Sequence, residues 1–222
     1  MSAAKPARRK PGRPKDTDSA DLRDRILDAA ELEFAAHGYN GARLRQIAAR
    51  AGVNPALIAY YNGSKAALFE EVIRRKGALI AAARQANLDA LLARTSAPRV
   101  REIVRAYLEP QWDMKASGPG GAAFVRIQAR LHAEPEARAL NLRREIYDPT
   151  AKRYITVLAE ALPHLTIEEV SLRMAFLVGT YLFMLNDLGR VGDLSDGRVP
   201  AMEKEDLLDH LQRFLAAGLR AD

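Results

Sequence analysis

Apolar residues recur at helical spacing along almost the whole chain, and no segment sustains the apolar–polar alternation of a strand. No Asn-Gly or Asp-Gly pair joins two β-branched runs either. An all-α fold is therefore expected. Between Asp21 and His37, Leu22, Ile26, Ala30 and Phe34 form one apolar stripe, and Gly38 supplies the stop. Two short helical patterns lie between Asn40 and Asn62, separated by Ala51-Gly52-Val53. Ser64 suits the N-cap of a long helix through Phe69, Val72, Ile73 and Leu79 to about Leu92. Pro98 opens another towards Met114, and Ser117 to Gly121 reads as a loop. An amphipathic segment follows from Ala122 to His132, then a helix opening at Pro135 and interrupted at Pro149. A very apolar helix runs from Thr166 to Leu188, and a Gly/Asp-rich loop from Gly189 to Pro200 precedes the last helix, Met202 to Leu219. The total is about nine helices.

Charge is unevenly placed. Of 34 Lys and Arg residues, Lys5, Arg8, Arg9, Lys10, Arg13 and Lys15 crowd the first fifteen positions, which hold no acid; the remaining 28 bases balance the 28 acids. The body is thus neutral, and the net +6 sits on an N-terminal arm. The arm runs into Asp16, Asp18 and Asp21 without an apolar stretch, which argues against a secretory signal. The longest apolar run, Met174 to Leu185, falls short of the roughly 20 residues that span a bilayer, so no membrane role is expected. With no cysteine, disulfides, thiolate metal sites and cysteine nucleophiles are excluded, and a cytoplasmic protein fits.

The function-bearing segment is marked by what it lacks. From Phe34 to Phe69 there is no acidic residue, while Arg43, Arg45, Arg50 and Lys65 remain, and a surface without negative charge is what a polyanion requires. Within it, Ile47 and Ala48 can face inward from one helix, with Ala48 and Ala51 small enough for a close crossing. Gly52 can adopt the left-handed backbone of a tight turn, and Val53 plugs that turn. Asn54 is a good N-cap, Pro55 suits the first helical position, and Leu57 and Ile58 return to the core. This pattern is a helix-turn-helix, whose second helix enters the DNA major groove.

These residues resemble the TetR family of transcriptional regulators. Ile26 to Ala30, Phe34, Gly38-Tyr39, Ile47-Ala48, Ala51-Gly52-Val53, Tyr60-Tyr61, Gly63-Ser64-Lys65 and Leu68-Phe69 match its pattern in order and spacing over roughly residues 20–73. The resemblance implies that Arg45 approaches phosphate or a base edge and that Asn54, Pro55, Ala56 and Ala59 face the groove. Tyr60, Tyr61 and Lys65 would reach phosphates. Because Ala56 and Ala59 cannot hydrogen-bond a base, direct readout falls to Asn54, Arg45 or Arg43. Two positions depart from the family pattern: Arg43 replaces a Thr or Ser cap, and Asn62 replaces a Phe that packs beneath the recognition helix. Losing that Phe at a buried site costs about 1–3 kcal/mol. His37 reads as a cap interaction rather than a ligand.

Three domains are expected: an arm at 1–18, a three-helix DNA-binding domain at 19–65, and a larger helical effector-binding and dimerisation domain at 66–222. In the arm, Arg9 to Lys15 resembles an AT-hook with Arg13 inserted in the minor groove, the alternative being a solubilising tail. Leu172 to Leu185 is apolar nearly all round, which suits either a buried core helix or a helix shared with a second subunit. In the second case Leu172, Ala175, Gly179 and Leu182, with Leu208, Leu211 and Leu215 of the last helix, would form a four-helix bundle across a two-fold axis, giving a homodimer. Candidate lining for a small-molecule effector pocket is Trp112, Phe124, Phe176, Tyr181, Phe183 and Met184, with Arg126, Arg130 or His132 facing an anionic group. A moderately hydrophobic, carboxylate-bearing ligand fits this set. Double-stranded DNA is the expected macromolecular partner, with release by the effector and repression as the expected outcome. No metal site, cofactor or catalytic residue is expected: His37, His132, His164 and His210 are scattered, and there is no H-E-x-x-H, G-x-S-x-G or Walker loop. The alternatives are a nonspecific architectural DNA binder and a helical enzyme.

Overall fold

A computed structural model describes residues 16–133, 137–186 and 190–221. The described residues form eleven helices and no strand: α1 (Asp16–Gly41), α2 (Leu44–Ala51), α3 (Pro55–Asn62), α4 (Lys65–Arg94), α5 (Val100–Ala116), α6 (Pro119–Ala133), α7 (Ala137–Ile146), α8 (Asp148–Ala161), α9 (Ile167–Leu185), α10 (Arg190–Leu194) and α11 (Lys204–Arg220). Two more helices are present than the sequence suggests. The chain re-enters helix at Asp148 with Pro149 in the first turn, where its missing N–H costs nothing, and the loop after α9 contains the short α10. Three of the five residues of the glycine-rich loop are helical as well, because α6 begins at Pro119. At the end of α1 the helical path breaks at Gly38 (φ 68°).

Two apolar cores divide the fold. The first gathers Ile26, Ala30 and Phe34 of α1, Ile47, Ala48 and Ala51 of α2, Ile58 of α3, and Leu68, Phe69, Val72 and Ile73 of α4. It continues onto Phe124 and Ile127 of α6 and Leu142 and Ile146 of α7. Burial of so many side chains, each of the large ones stabilising by roughly 1.5–3 kcal/mol, locks the helix-turn-helix to the C-terminal helices. The second core joins Leu88 and Leu91 of α4 to α5, α8, α9 and α11. Helix α4 serves both cores and is the rod between them. Its middle crosses the α7–α8 junction closely because Gly77 has no side chain: a Cβ there would stand 2.8 Å from Ile146 Cγ2 and 3.0 Å from Tyr147 Oη.

On α9 the helical period sends Met174, Leu177, Tyr181, Leu182 and Leu185 inward. Leu182, Leu208, Leu211 and Leu215, expected from sequence at a subunit interface, lie in the subunit's own second core. Phe176 and Phe183, expected to line a pocket, stand instead on the outer face with exposures of 61% and 58%. The physical reason is register: an apolar run around the whole helix does not reveal which stripe meets the core. Trp112 and Phe124 are buried in different cores, so they do not share a cavity.

Candidate nucleic-acid interface

The turn between α2 and α3 forms as its residue types dictate. Gly52 takes the left-handed conformation (φ 66°, ψ 37°) that a side chain would strain, and its N–H caps the end of α2 by donating to the Ala48 and Ala49 carbonyls. Arg25 of α1 completes this cap, its Nη2 donating to the Ala51 carbonyl at 2.6 Å. No sequence pattern announced that contact, since Arg25 lies 26 residues away on the polar side of α1. Asn54 Oδ1 accepts from the Ala56 N–H at 2.9 Å and Pro55 occupies the first turn, fixing the start of α3. Asn54 thus uses its carboxamide oxygen as a cap, leaving Nδ2 as its donor towards a ligand.

Helix α3 then presents Asn54, Pro55, Ala56, Ala59 and Tyr60 to solvent. Tyr60 is 80% exposed and meets Tyr61 edge to face, with ring centroids 5.2 Å apart. Leaving a phenol so exposed forfeits apolar burial, and its hydroxyl is a free donor. Arg43 and Arg45 are exposed beside them. Arg43 occupies the N-cap of α2 without a side-chain cap, as its departure from Thr or Ser predicts. The ordinary cap returns at Ser64, whose Oγ accepts from Ala67 N–H at 3.1 Å at the start of α4. Lys65 follows, and its Nζ donates to the Asn40 carbonyl (3.1 Å) and lies 5.0 Å from the Tyr39 ring centroid. Lys65 therefore pins α4 to the end of α1 as well as offering charge to the surface. Arg13 lies outside the described residues.

The acids nearest this face are occupied. Glu71 holds Arg23 at 2.5 Å and accepts from Asn62 Nδ2 at 2.7 Å. Arg75 of α4 reaches Asp24 (3.5 Å), Asp28 (2.6 Å) and the buried Glu31 (3.5 Å) on α1. These carboxylates are thus engaged by cations of α1 and α4 and by Asn62 at the end of α3, not by the exposed cations Arg43 and Arg45. Asn62 is itself buried, and its Oδ1 meets no protein donor. His37 points its Nε2 at Glu33, 3.7 Å away within the same helix.

The model of bacterial regulatory proteins of the tetR family matches residues 26–72, and the model of the Tetracyclin repressor-like C-terminal domain matches residues 105–218. The chain belongs to the TetR family. Its helix-turn-helix lies within the residues that the first of these models matches. A relative, the HTH-type transcriptional repressor SCO4008 of Streptomyces coelicolor, is 46% identical over 59 residues, which are 27% of this chain and 31% of that protein. The chain thus spans less than a third of the length of the curated relative it matches. The TetR fold is shared with the fatty acid degradation regulator FadR of Bacillus halodurans at TM-score 0.67 and 17% identity, covering 90% of this chain and 97% of that one. A TetR-like regulator of Rhodococcus sp. RHA1 superposes at TM-score 0.60 with 21% identity, over 90% and 97% of the two chains. The hemolysin II regulator HlyIIR gives 0.63 with 18% identity, over 89% and 98%.

Of the sequence-expected pocket residues, Arg130 is exposed and donates to the Phe34 carbonyl at 3.4 Å. With Lys115 and Arg126 it edges a cleft of about 260 Å³. Tyr181 is buried and accepts a hydrogen bond from Arg84, Met184 packs half-buried against the second core, and the side chain of His132 lies outside what is described. These residues do not converge on one pocket. The buried Arg84, which sequence reading missed, packs against Tyr107, and Tyr107 lines a cleft. Among the described residues no helix is long and apolar enough to cross a membrane.

Proposed function

We propose that this TetR-family regulator is a cytoplasmic homodimer that represses transcription by holding a palindromic operator and is released by a small-molecule effector. The observation that carries DNA binding is the exposed, acid-free face of α2 and α3. It gathers Arg43, Arg45, Tyr60 and the α3 amino end, a set suited to phosphate and base edges. Repression is supported by the helix-turn-helix shared with a protein named a repressor.

Dimerisation is supported by the outer faces of α9 and α11. Leu172, Phe176 and Phe183 of α9 and Phe214 of α11 are 56%, 61%, 58% and 69% exposed, with Ala175, Gly179, Ala217 and Gly218 between them. Arg173 binds the two helices together by donating to the Leu219 carbonyl at 2.9 Å. Large apolar side chains around small ones make a surface that a second copy can cover at close range. Two recognition helices about 34–36 Å apart then meet successive major grooves. An effector can shift that spacing only by its differential affinity for two conformations.

Selection of bound duplexes from a random pool, with sedimentation analysis of the free protein, tests this reading. A two-fold symmetric site bound at least about a thousandfold over random duplex supports a specific regulator. A monomer, or equal affinity for any duplex, contradicts it. Phe176→Asp with Phe214→Asp should yield monomers that bind the selected site weakly.

A further inference from the structure

Between α5, α7, α8 and α9 lies a cleft of about 350 Å³. Leu140, Ile155, Met174 and Val178 make apolar walls, and Tyr107 and Tyr147 form its inner side. Burial pushes both phenols above their ordinary value, so both are neutral near neutral pH. Behind them is Arg84, 1% exposed. Its Nε donates to the Tyr107 carbonyl at 2.8 Å and its Nη2 to Tyr181 Oη at 3.1 Å, and its guanidinium carbon stands 3.8 Å from the Tyr107 ring centroid. Among the described residues no carboxylate is within ion-pair distance of it. A guanidinium does not shed its proton, so a full positive charge is held in the interior with only dipoles and ring faces around it. That arrangement is costly unless an anion compensates it, and the low local dielectric extends its field into the cleft.

The mouth repeats the sign. Arg143 and Arg144 line it against a single acid, Asp148. A second cationic cleft, at Lys115, Arg126 and Arg130, has surface cations but no aromatic inner wall among its lining residues.

We propose that the cleft between α5, α7, α8 and α9 binds an amphipathic organic carboxylate, whose charge is met by Arg144 at the mouth and favoured by the field of Arg84 behind Tyr107, and whose apolar body lies against Ile155, Met174 and Val178. This rests on the effector-controlled reading above and gives that effector a place and a charge. A cleft of this volume falls within the range that accommodates a small ligand.

Calorimetric titration of the full chain with decanoate and 2-naphthoate, against decanamide and 2-naphthamide as neutral counterparts, tests the proposal. At least one carboxylate should bind, with its amide at least about tenfold weaker. Arg144→Gln, an exposed position, should weaken the carboxylate at least threefold and leave the amide unchanged. Ala151→Trp, which fills the cleft, should abolish binding. Arg84→Met should lose the preference for carboxylate, and thermal unfolding will show whether that variant folds; Arg144→Gln keeps the test decisive if it does not. Failure of both carboxylates to bind, equal affinity for acid and amide, or indifference to both Arg144→Gln and Ala151→Trp would overturn the site. Carboxylate binding that leaves operator occupancy unchanged would defeat effector control and leave the site standing. Operator release by the amides alone would do the reverse.

Discussion

The guanidinium of Arg138 on α7 lies 3.9 Å from the centroid of the Tyr39 ring at the end of α1, while Lys65, at the start of α4, faces the same ring at 5.0 Å. One phenol thus joins α7 to a cation at the start of α4. Helix α7 also supplies Arg143 and Arg144 to the cleft, and its Glu145 pairs with Arg74 of α4 at 2.8 Å. A shift of α7 would act on this contact first.

A cation–π contact of this kind is worth about 0.5–2 kcal/mol. A double-mutant cycle with Arg138→Ala and Tyr39→Leu, followed by denaturant unfolding, should return a coupling energy of that size. A coupling of zero would mean that the two side chains are neighbours without interacting, and α7 would lose its link to α1.

Asn62 offers a stabilising substitution. It is buried, its Oδ1 meets no protein donor, and a polar atom stranded in this way costs about 1–3 kcal/mol. Asn62→Leu should raise the unfolding temperature by a few degrees, because Glu71 keeps Arg23 as its partner. A lower melting temperature would show that the bond from Asn62 Nδ2 to Glu71 outweighs the stranded oxygen.

Glu31 gives a pH signature. It is 1% exposed between α1 and α4, and burial pushes its carboxyl above the ordinary value although Lys76, at 3.2 Å, and Arg75 pull the other way. Between the ordinary and the raised value the unfolded chain has lost this proton and the folded chain retains it. Stability from this group therefore falls as pH rises through that window and is flat above it. The stability difference between wild type and Glu31→Gln, followed from about pH 4 towards neutrality, should move against the wild type. A difference independent of pH would show that the cations hold Glu31 at its ordinary value.

The arm carries its own test. Deleting residues 1–15 removes six cations and no acid. If they reach phosphates, operator affinity should fall and the slope of log affinity against log salt should flatten by about 0.9 for each phosphate that is no longer neutralised. An unchanged slope would take the arm, and Arg13 with it, out of the interface.

What could be read from the sequence follows from how local each signal is. Gly52, Asn54, Pro55 and Ser64 act within a turn or two of themselves, so residue type alone located the helix-turn-helix and its caps. Asn62 stood out because an amide occupied a position that a recognisable pattern fills with an aromatic ring. Phe176 and Leu182 could not be told apart, because both lie on a helix that is apolar on every side and only tertiary packing selects the inward stripe. Arg84, within Ala-Ala-Ala-Arg-Gln, looks like any solvated arginine; its burial depends on Tyr107 and Tyr181, the latter 97 positions away. Arg25 at the end of α2 and Arg138 on Tyr39 were hidden for the same reason.

Everything functional depends on the face formed by α2 and α3. The most direct measurement is the affinity of wild type and of Arg45→Ala with Tyr60→Ala for the selected operator duplex, read by fluorescence anisotropy over a range of salt concentrations. Both side chains are exposed, so the fold should be little affected. Binding should be weaker by at least about tenfold, with a salt slope shallower by roughly one to two. Equal affinity with an equal slope would place DNA on another surface and contradict it.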